Sequence, residues 1–258
     1  MRRRKYLSGT GLFAATMLGG YVTDSDERPA TFVQGGTETG TEPGTGTAAE
    51  TASRTSRSQT ESGPDGEPEV VIGESELVVD EGEFGTDVYV TASLENVGGA
   101  PSGAVEVTVD WYDEAGDYLD NGYAYLNSLD SGEVWAARVY FLGTDAERVS
   151  DYEVTGEYDT APPRMNPDGL RLLESDLRID GDEALVSGRV ANERDGAVSY
   201  VEANAKIYDD NGVVIGGEWT NVADLPAGEV WAFDVSWWGW ERVEEAADHT
   251  IWMTDSVF

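Results

Sequence analysis

The chain of 258 residues contains one histidine, His249, and no cysteine. Nucleophilic catalysis of the Ser-His-Asp kind would depend on that single imidazole, and a multi-histidine or thiolate metal centre is excluded. Neither a GxSxG elbow nor a phosphate-cradling GxxxxGK[ST] loop occurs. Paired acids can hydrolyse glycosides, but the 51 Asp and Glu offer many pairs whose separation in space the sequence does not set. Asp113, Glu114, Asp117 and Asp120 in one stretch, and Asp209 and Asp210 in another, supply hard oxygen ligands for calcium without EF-hand spacing. The remaining chemistry-bearing residues are aromatic. VWAFDVSWWGW at 230–240 places four tryptophans in an acidic, glycine-rich chain, and Trp238 and Trp240, with Trp219, are candidates for a patch that stacks on sugar rings. The expectation is a protein that is not an enzyme and needs no cofactor.

Charge narrows the partners. Against 51 acidic residues stand 16 Lys and Arg, a formal net charge of -35. With no basic patch to displace counterions, nucleic acid and anionic lipid are excluded as partners. Only Lys5 and Lys206 are lysines, and acid is spread along the chain, which resembles the proteins of salt-loving archaea. The physical expectation is that concentrated salt, with a screening length of about 3 Å at 1 M, removes the self-repulsion that opposes a compact state.

The start, MRRRKYLSGTGLFAATMLGGYVTD, joins a basic segment to an apolar stretch of 11–22, too short for the roughly 20 residues of a transmembrane helix. It reads as an export signal over 1–22, and Arg3 and Arg4 followed by Lys5, Tyr6 and Leu7 resemble the twin-arginine signal. An extracellular or cell-surface location is expected. Tyr21 stands where a lipoprotein would carry its cysteine, so no cysteine-linked lipid anchor is possible. Residues 23–68 are rich in Thr, Ser, Gly, Glu and Pro, and are expected to be a disordered spacer.

Beyond the spacer the sequence repeats itself. SLEN at 93–96 corresponds to RVAN at 189–192, EVTVDWYDEAG at 106–116 to EANAKIYDDNG at 202–212, and SGEVWAARVYF at 131–141 to AGEVWAFDVSW at 227–237, all at an offset of 96. ESEL at 74–77 and ESDL at 174–177 extend the match. The expected domains are 69–159 and 169–258, joined by a linker of 160–168.

Alternation within each copy sets the faces. Val105, Val107, Val109 and Trp111, then Trp135, Ala137, Val139 and Phe141, share one side, as do Val201, Ala203, Ala205 and Ile207, then Trp231, Phe233, Val235 and Trp237. Glu106, Thr108 and Asp110, and their counterparts Glu202, Asn204 and Lys206, fall on the opposite side. Period two means strands with one buried face. Trp111, Trp135, Phe141, Trp231, Phe233 and Trp237 are the predicted core anchors. Asn96 and Asn192 close their strands, where a side-chain amide can satisfy loop backbone. The pattern predicts an all-β chain, two β-sandwiches in tandem, with a short helical turn within 241–249.

Tyr112 and Asp113, and Tyr208 and Asp209, in the settings VDWYD and AKIYD, resemble the signature of the FxLyD family of small extracytoplasmic domains, without its leading phenylalanine. That resemblance implies immunoglobulin-like β-sandwiches and supplies no catalytic residue. By parity the two tyrosines lie off the apolar face, where a structural hydrogen bond or a ligand contact would engage them. The expected role is a structural or protein-interaction module of the cell envelope. A carbohydrate-binding module using exposed tryptophans and an accessory or sensor subunit of an envelope complex are the alternatives, so the partner is an envelope protein or a glycan.

Overall fold

A computed structural model describes residues 5–6, 30–33, 66–82 and 85–256. Arg3 and Arg4 of the expected export signal, and most of the expected spacer, lie outside the described residues. What is described is mostly β, with little helix and a curled sheet. Two short strands, β1 (Lys5–Tyr6) and β2 (Ala30–Val33), precede the repeats. The first repeat contributes β3 (Val70–Gly82), β4 (Gly85–Asn96), β5 (Val105–Asp113), β6 (Tyr118–Leu126), β7 (Val134–Tyr140) and β8 (Val149–Tyr158). The second contributes β9 (Leu170–Asp180), β10 (Glu183–Asn192), β11 (Val198–Tyr208), β12 (Val214–Leu225), β13 (Val230–Trp237) and β14 (Asp248–Thr254). Within the stretch expected to be a spacer, β2 pairs with β8.

Strand pairing recurs along with the sequence. β4 pairs with β3 and β7 as β10 pairs with β9 and β13, and β5 pairs with β6 and β8 as β11 pairs with β12 and β14. The register is kept too: Leu94 opposite Trp135 becomes Val190 opposite Trp231, and the irregularity between Trp111 and Tyr112 recurs between Ile207 and Tyr208. Both hairpins turn on a glycine in the left-handed region, Gly116 and Gly212, each at φ 80°. In both, the preceding Asp113 or Asp209 accepts two backbone N–H groups. Asn96 donates to the carbonyls of Ala100 and Leu129 and accepts from Glu69 and Gly98 N–H. Asn192 does the same work, donating to Gly196, Leu225 and Pro226 and accepting from Arg194 N–H.

Two apolar clusters form, one per repeat, but they are not separate. The sheets run β2-β8-β5-β6, β13-β10-β9 and, across both repeats, β1-β3-β4-β7-β12-β11-β14. β7 and β12 meet in parallel where Trp135 lies opposite Val214. Val214, fully buried, belongs to the first repeat's cluster, and Tyr208 packs against it.

Continuity of that sheet explains where the anchors differ. β7 is flanked on both sides, by β4 and β12, and Trp135 is only 3% exposed. β13 is an edge strand, and Trp231 and Trp237 are half-buried rather than dry. Trp231 tilts against Phe233 at 5.1 Å. Trp237 lies over two glycines; a Cβ on Gly216 would come within 2.2 Å of its indole. Trp111, Phe141 and Phe233 are buried, and Trp111 meets Phe141 edge-on at 5.8 Å.

The larger correction is on the second repeat's polar face. Glu202, Asn204 and Lys206, expected to face water, are 5%, 1% and 2% exposed. The first repeat docks on them, while Glu106 on the equivalent face of the first repeat stays exposed.

Candidate ligand groove at the junction of the repeats

β11 presents Glu202, Asn204 and Lys206 on one face because alternate residues of a strand share a side. Asn204 lies opposite Trp219 of β12 and opposite Trp252 of β14, so a tryptophan occupies the register position on either side of it, on strands spaced about 4.8 Å apart. The first repeat supplies the facing wall, Tyr125, Leu126, Asn127 and Ser128, from the end of β6. Gly217 permits the approach, for a Cβ there would meet Leu126 Cδ1 at 3.1 Å. Between the walls lies an open groove of about 230 Å³. That is less than the roughly 300 Å³ at which drug-sized pockets begin, and suits one small polar unit of a longer ligand. Trp219 and Tyr125 are half exposed, whereas Trp252 is buried at the floor.

A hydrogen-bond chain fixes the polar groups. Tyr200 Oη donates to the Glu202 carboxylate, which also accepts from Asn204 Nδ2 at 2.9 Å. That leaves Asn204 Oδ1 to accept from Asn127 Nδ2 across the junction. Lys206 Nζ reaches back into the first repeat, 2.6 Å from Glu133 and 3.3 Å from Asp130. Glu133 also accepts from Tyr208 Oη at 2.7 Å and from Asp130 N–H at 2.7 Å. Burial, with the Glu133 charge beside it, pushes the Tyr208 hydroxyl far above its usual range, so it stays a donor. Burial also raises the Tyr125 hydroxyl, aided by the charges of Asp159, Glu202 and Glu106, and raises the Glu218 carboxyl at the groove rim.

A second aromatic group lies elsewhere on the junction. The 3-10 turn Trp240–Glu245 follows β13 and stacks Trp240, at φ 54°, on Tyr140 of the first repeat, with centroids 5.8 Å and planes 29° apart. Arg242, buried, donates to the carbonyls of Ala136 and Ile215, one from each repeat. Trp238 and Trp240 nonetheless remain 64% and 69% exposed. The candidate trio is thus split: Trp219 lines the groove, and neither Trp238 nor Trp240 does.

The other candidates fall apart as sites. Asp113 is held by Arg148 at 2.6 Å, which keeps its carboxyl below the usual range, and Asp120 caps its own strand at Asn121 N–H. Asp210 accepts from Asn211, and Glu114 and Asp117 are exposed in the turn. Among the described residues no group of three or more His, Asp or Glu is placed to hold a metal ion. Tyr112 stacks edge-on to Tyr118 at 6.0 Å. His249 Nε2 lies 2.9 Å from Ser175 Oγ, and among the described residues no carboxylate hydrogen-bonds its other nitrogen as a triad requires. Trp252 and the half of the wall contributed by Tyr125 and Asn127 were not legible as site residues; the exposed-side parity of Asn204 was the only available signal.

No family model matches the chain, and no curated protein does. Similar solved structures include β-glucuronidase 2 of Bacteroides uniformis, 17% identical, covering 58% of this chain and 21% of that one with a TM-score of 0.19. A β-glucuronidase from glycoside hydrolase family 2 is 13% identical over 65% of this chain and 20% of its own, TM-score 0.18. The N-terminal CBM22-1–CBM22-2 tandem domain of Paenibacillus barcinonensis Xyn10C is 12% identical over 75% and 87%, TM-score 0.12. The chain spans about a fifth of the length of the glucuronidases. Superpositions this loose leave the site to rest on its own geometry. Among the described residues no helix is long and apolar enough to cross a membrane, and the sequence has no cysteine to carry a lipid.

Proposed function

We propose that the chain is a non-catalytic carbohydrate-binding module, two FxLyD-like immunoglobulin-type sandwiches in tandem, exported by a twin-arginine-type signal and displayed at the surface of a salt-adapted cell. The observation that carries the binding role is the groove in which Trp219 and Tyr125, one from each repeat, flank the ordered amides of Asn127 and Asn204. Sugars present just these two chemistries, an apolar C–H face and a ring of hydroxyls. A non-catalytic role is supported by the lining itself, where Glu218 is the one carboxylic acid and glycoside hydrolysis by the usual route uses two.

An indole covering ~60 Å² of sugar face contributes ~1.5 kcal/mol, so Trp219→Ala should weaken binding about tenfold. Because Trp219 is half exposed, the same change should leave thermal stability nearly intact. The check is titration of neutral oligosaccharides and envelope polysaccharide in concentrated salt, followed by tryptophan fluorescence. If no saccharide shifts emission at millimolar concentration, the reading is wrong.

The second reading, a structural or protein-contact module or an accessory subunit of an envelope complex, is favoured by the exposed indoles of Trp238 and Trp240, at 64% and 69%. In that case Trp238→Ser/Trp240→Ser abolishes capture of an envelope protein and leaves saccharide binding alone.

A further inference from the structure

The junction between the repeats has a receiving half and an inserting half, and the chain builds the receiving half twice. In the first repeat it is the segment GEVWA at 132–136: β12 comes alongside β7 in parallel with Val214 opposite Trp135, and Lys206 pairs with Glu133 at 2.6 Å. GEVWA recurs unchanged at 228–232. The backbone recurs with it. Gly132 and Gly228 turn at φ 77° and 75°, and their N–H groups donate to the carbonyls of Asn96 and Asn192. The carbonyls of Glu133 and Glu229 accept from the N–H groups of the same two asparagines. Glu229 and Trp231 are therefore set on the edge of β13 as Glu133 and Trp135 are set on that of β7.

Among the described residues nothing completes the second copy. β13 ends its sheet, and Glu229, Val230, Ala232 and Asp234 are exposed where Glu133, Val134, Ala136 and Arg138 are half-buried. The Glu229 carboxylate has no hydrogen-bond or ion-pair partner among the described residues, and Pro226 stands where Asp130 gives Glu133 an N–H. The inserting half also recurs, with its charge reversed. Asp110 takes the place of Lys206, and Tyr118, 54% exposed, takes the place of Val214 on β6, a strand that likewise ends its sheet. A second copy of this chain docking its first repeat on β13 would thus bring Asp110 against Glu229 in a closed contact, where mobile ions screen poorly.

We propose that the open edge of β13, from Glu229 to Trp237, docks a β-domain of another protein that carries a lysine and an aliphatic residue where this chain has Lys206 and Val214, and that Asp110 keeps the chain from docking on itself. The partner's strand runs parallel to β13 and meets its unpaired backbone groups, its aliphatic side chain covers the half-buried Trp231, and its ammonium pairs with Glu229. The assignment stands apart from the saccharide groove, which no residue of β13 lines.

The test builds the partner's chemistry into the first repeat. Asp110→Lys/Tyr118→Val gives it the two residues that the second repeat inserts. Small-angle X-ray scattering in concentrated salt, at about millimolar protein, matches the local concentration that a short linker gives two joined domains. The unaltered chain should be monomeric and the double variant should associate end to end. Adding Glu229→Lys to the double variant should return it to monomers, because lysine then faces lysine. That triple variant mixed with the unaltered chain should associate again, because the unaltered chain supplies Glu229. Melting under the same conditions establishes that each variant is folded, and Asp110→Lys alone, which leaves Tyr118 edge-on to Tyr112, replaces the double variant if the latter melts early. A folded lysine variant that stays monomeric overturns the proposal. Association that survives Glu229→Lys overturns it by placing the contact elsewhere, and an unaltered chain that associates as strongly as the variant overturns the role given to Asp110.

Discussion

Replacing Lys206 by Met tests whether the repeats meet through a packed junction. The Lys206 side chain is 3% exposed and its Nζ lies 2.6 Å from Glu133 and 3.3 Å from Asp130, both in the other repeat. Methionine fills the volume of the stem and removes the charge. Removing one member of a buried pair costs ~3–5 kcal/mol because the other charge stays behind in poor solvent. Here Glu133 is 18% exposed and keeps two donors, Tyr208 Oη and Asp130 N–H, which lowers the expected loss to ~2–4 kcal/mol. Adding Glu133→Gln should recover at least ~1.5 kcal/mol, because glutamine strands no charge: its one oxygen accepts from Asp130 N–H, and its amide can donate to a Tyr208 Oη turned to donate to Thr250 Oγ1. The assay is urea unfolding in concentrated potassium chloride, followed by circular dichroism and by fluorescence, with all four members of the cycle measured together. A buried pair is little affected by mobile ions, so the loss should be the same at two high salt concentrations. Both repeats should lose structure in one transition, since the sheet through β7 and β12 is common to them. A loss below ~0.5 kcal/mol, or one that disappears on adding salt as for an exposed pair, would refute the reasoning, for it would mean that water enters the junction.

Two further outcomes follow from the same structure. Asn96→Ala and Asn192→Ala should each cost ~2–3 kcal/mol in urea unfolding, because each strands several buried backbone groups, and near-neutral values would show that water takes over the amide's role. Burial lowers the His249 pKa from its ordinary 6.5, so the unfolded chain binds this proton more readily. The contribution of His249 to stability is therefore complete above 6.5 and lost as pH falls through the lowered folded value; His249→Gln should flatten that part of a stability-against-pH curve, and an unchanged slope would assign it to other groups.

Much of this fold was legible because it depends on near neighbours in the chain. The alternation at Val105, Val107, Val109 and Trp111 requires a strand with a dry side wherever it packs, and those residues are buried. Asn96 and Asn192 are the last residues of their strands, within reach of loop backbone whatever lies around them, and they bind it in both repeats. The left-handed glycines, Gly116 and Gly212, follow from turn geometry alone. Edges were harder to foresee. Trp135 and Trp231 are the same residue in the same local sequence, yet one strand became internal to a continuous sheet and the other remained its sheet's border.

The sequence by itself determined the strands, the repeat and its register, the carboxylate excess, and the absence of thiol chemistry, because these reside in residue type and spacing. Only the tertiary structure decided that the polar face of β11 would be covered, and with it the groove. Alternation says which side of a strand is apolar and nothing about what docks on the other side. Glu106, Thr108 and Asp110 match Glu202, Asn204 and Lys206 position for position, yet Glu106 is exposed and Thr108 and Asp110 are half-buried, while the second set is closed over by the neighbouring repeat. The physical difference is one of charge: Lys206 can meet Glu133 and Asp130 across a dry contact, and an aspartate in its place would have met them with the same sign.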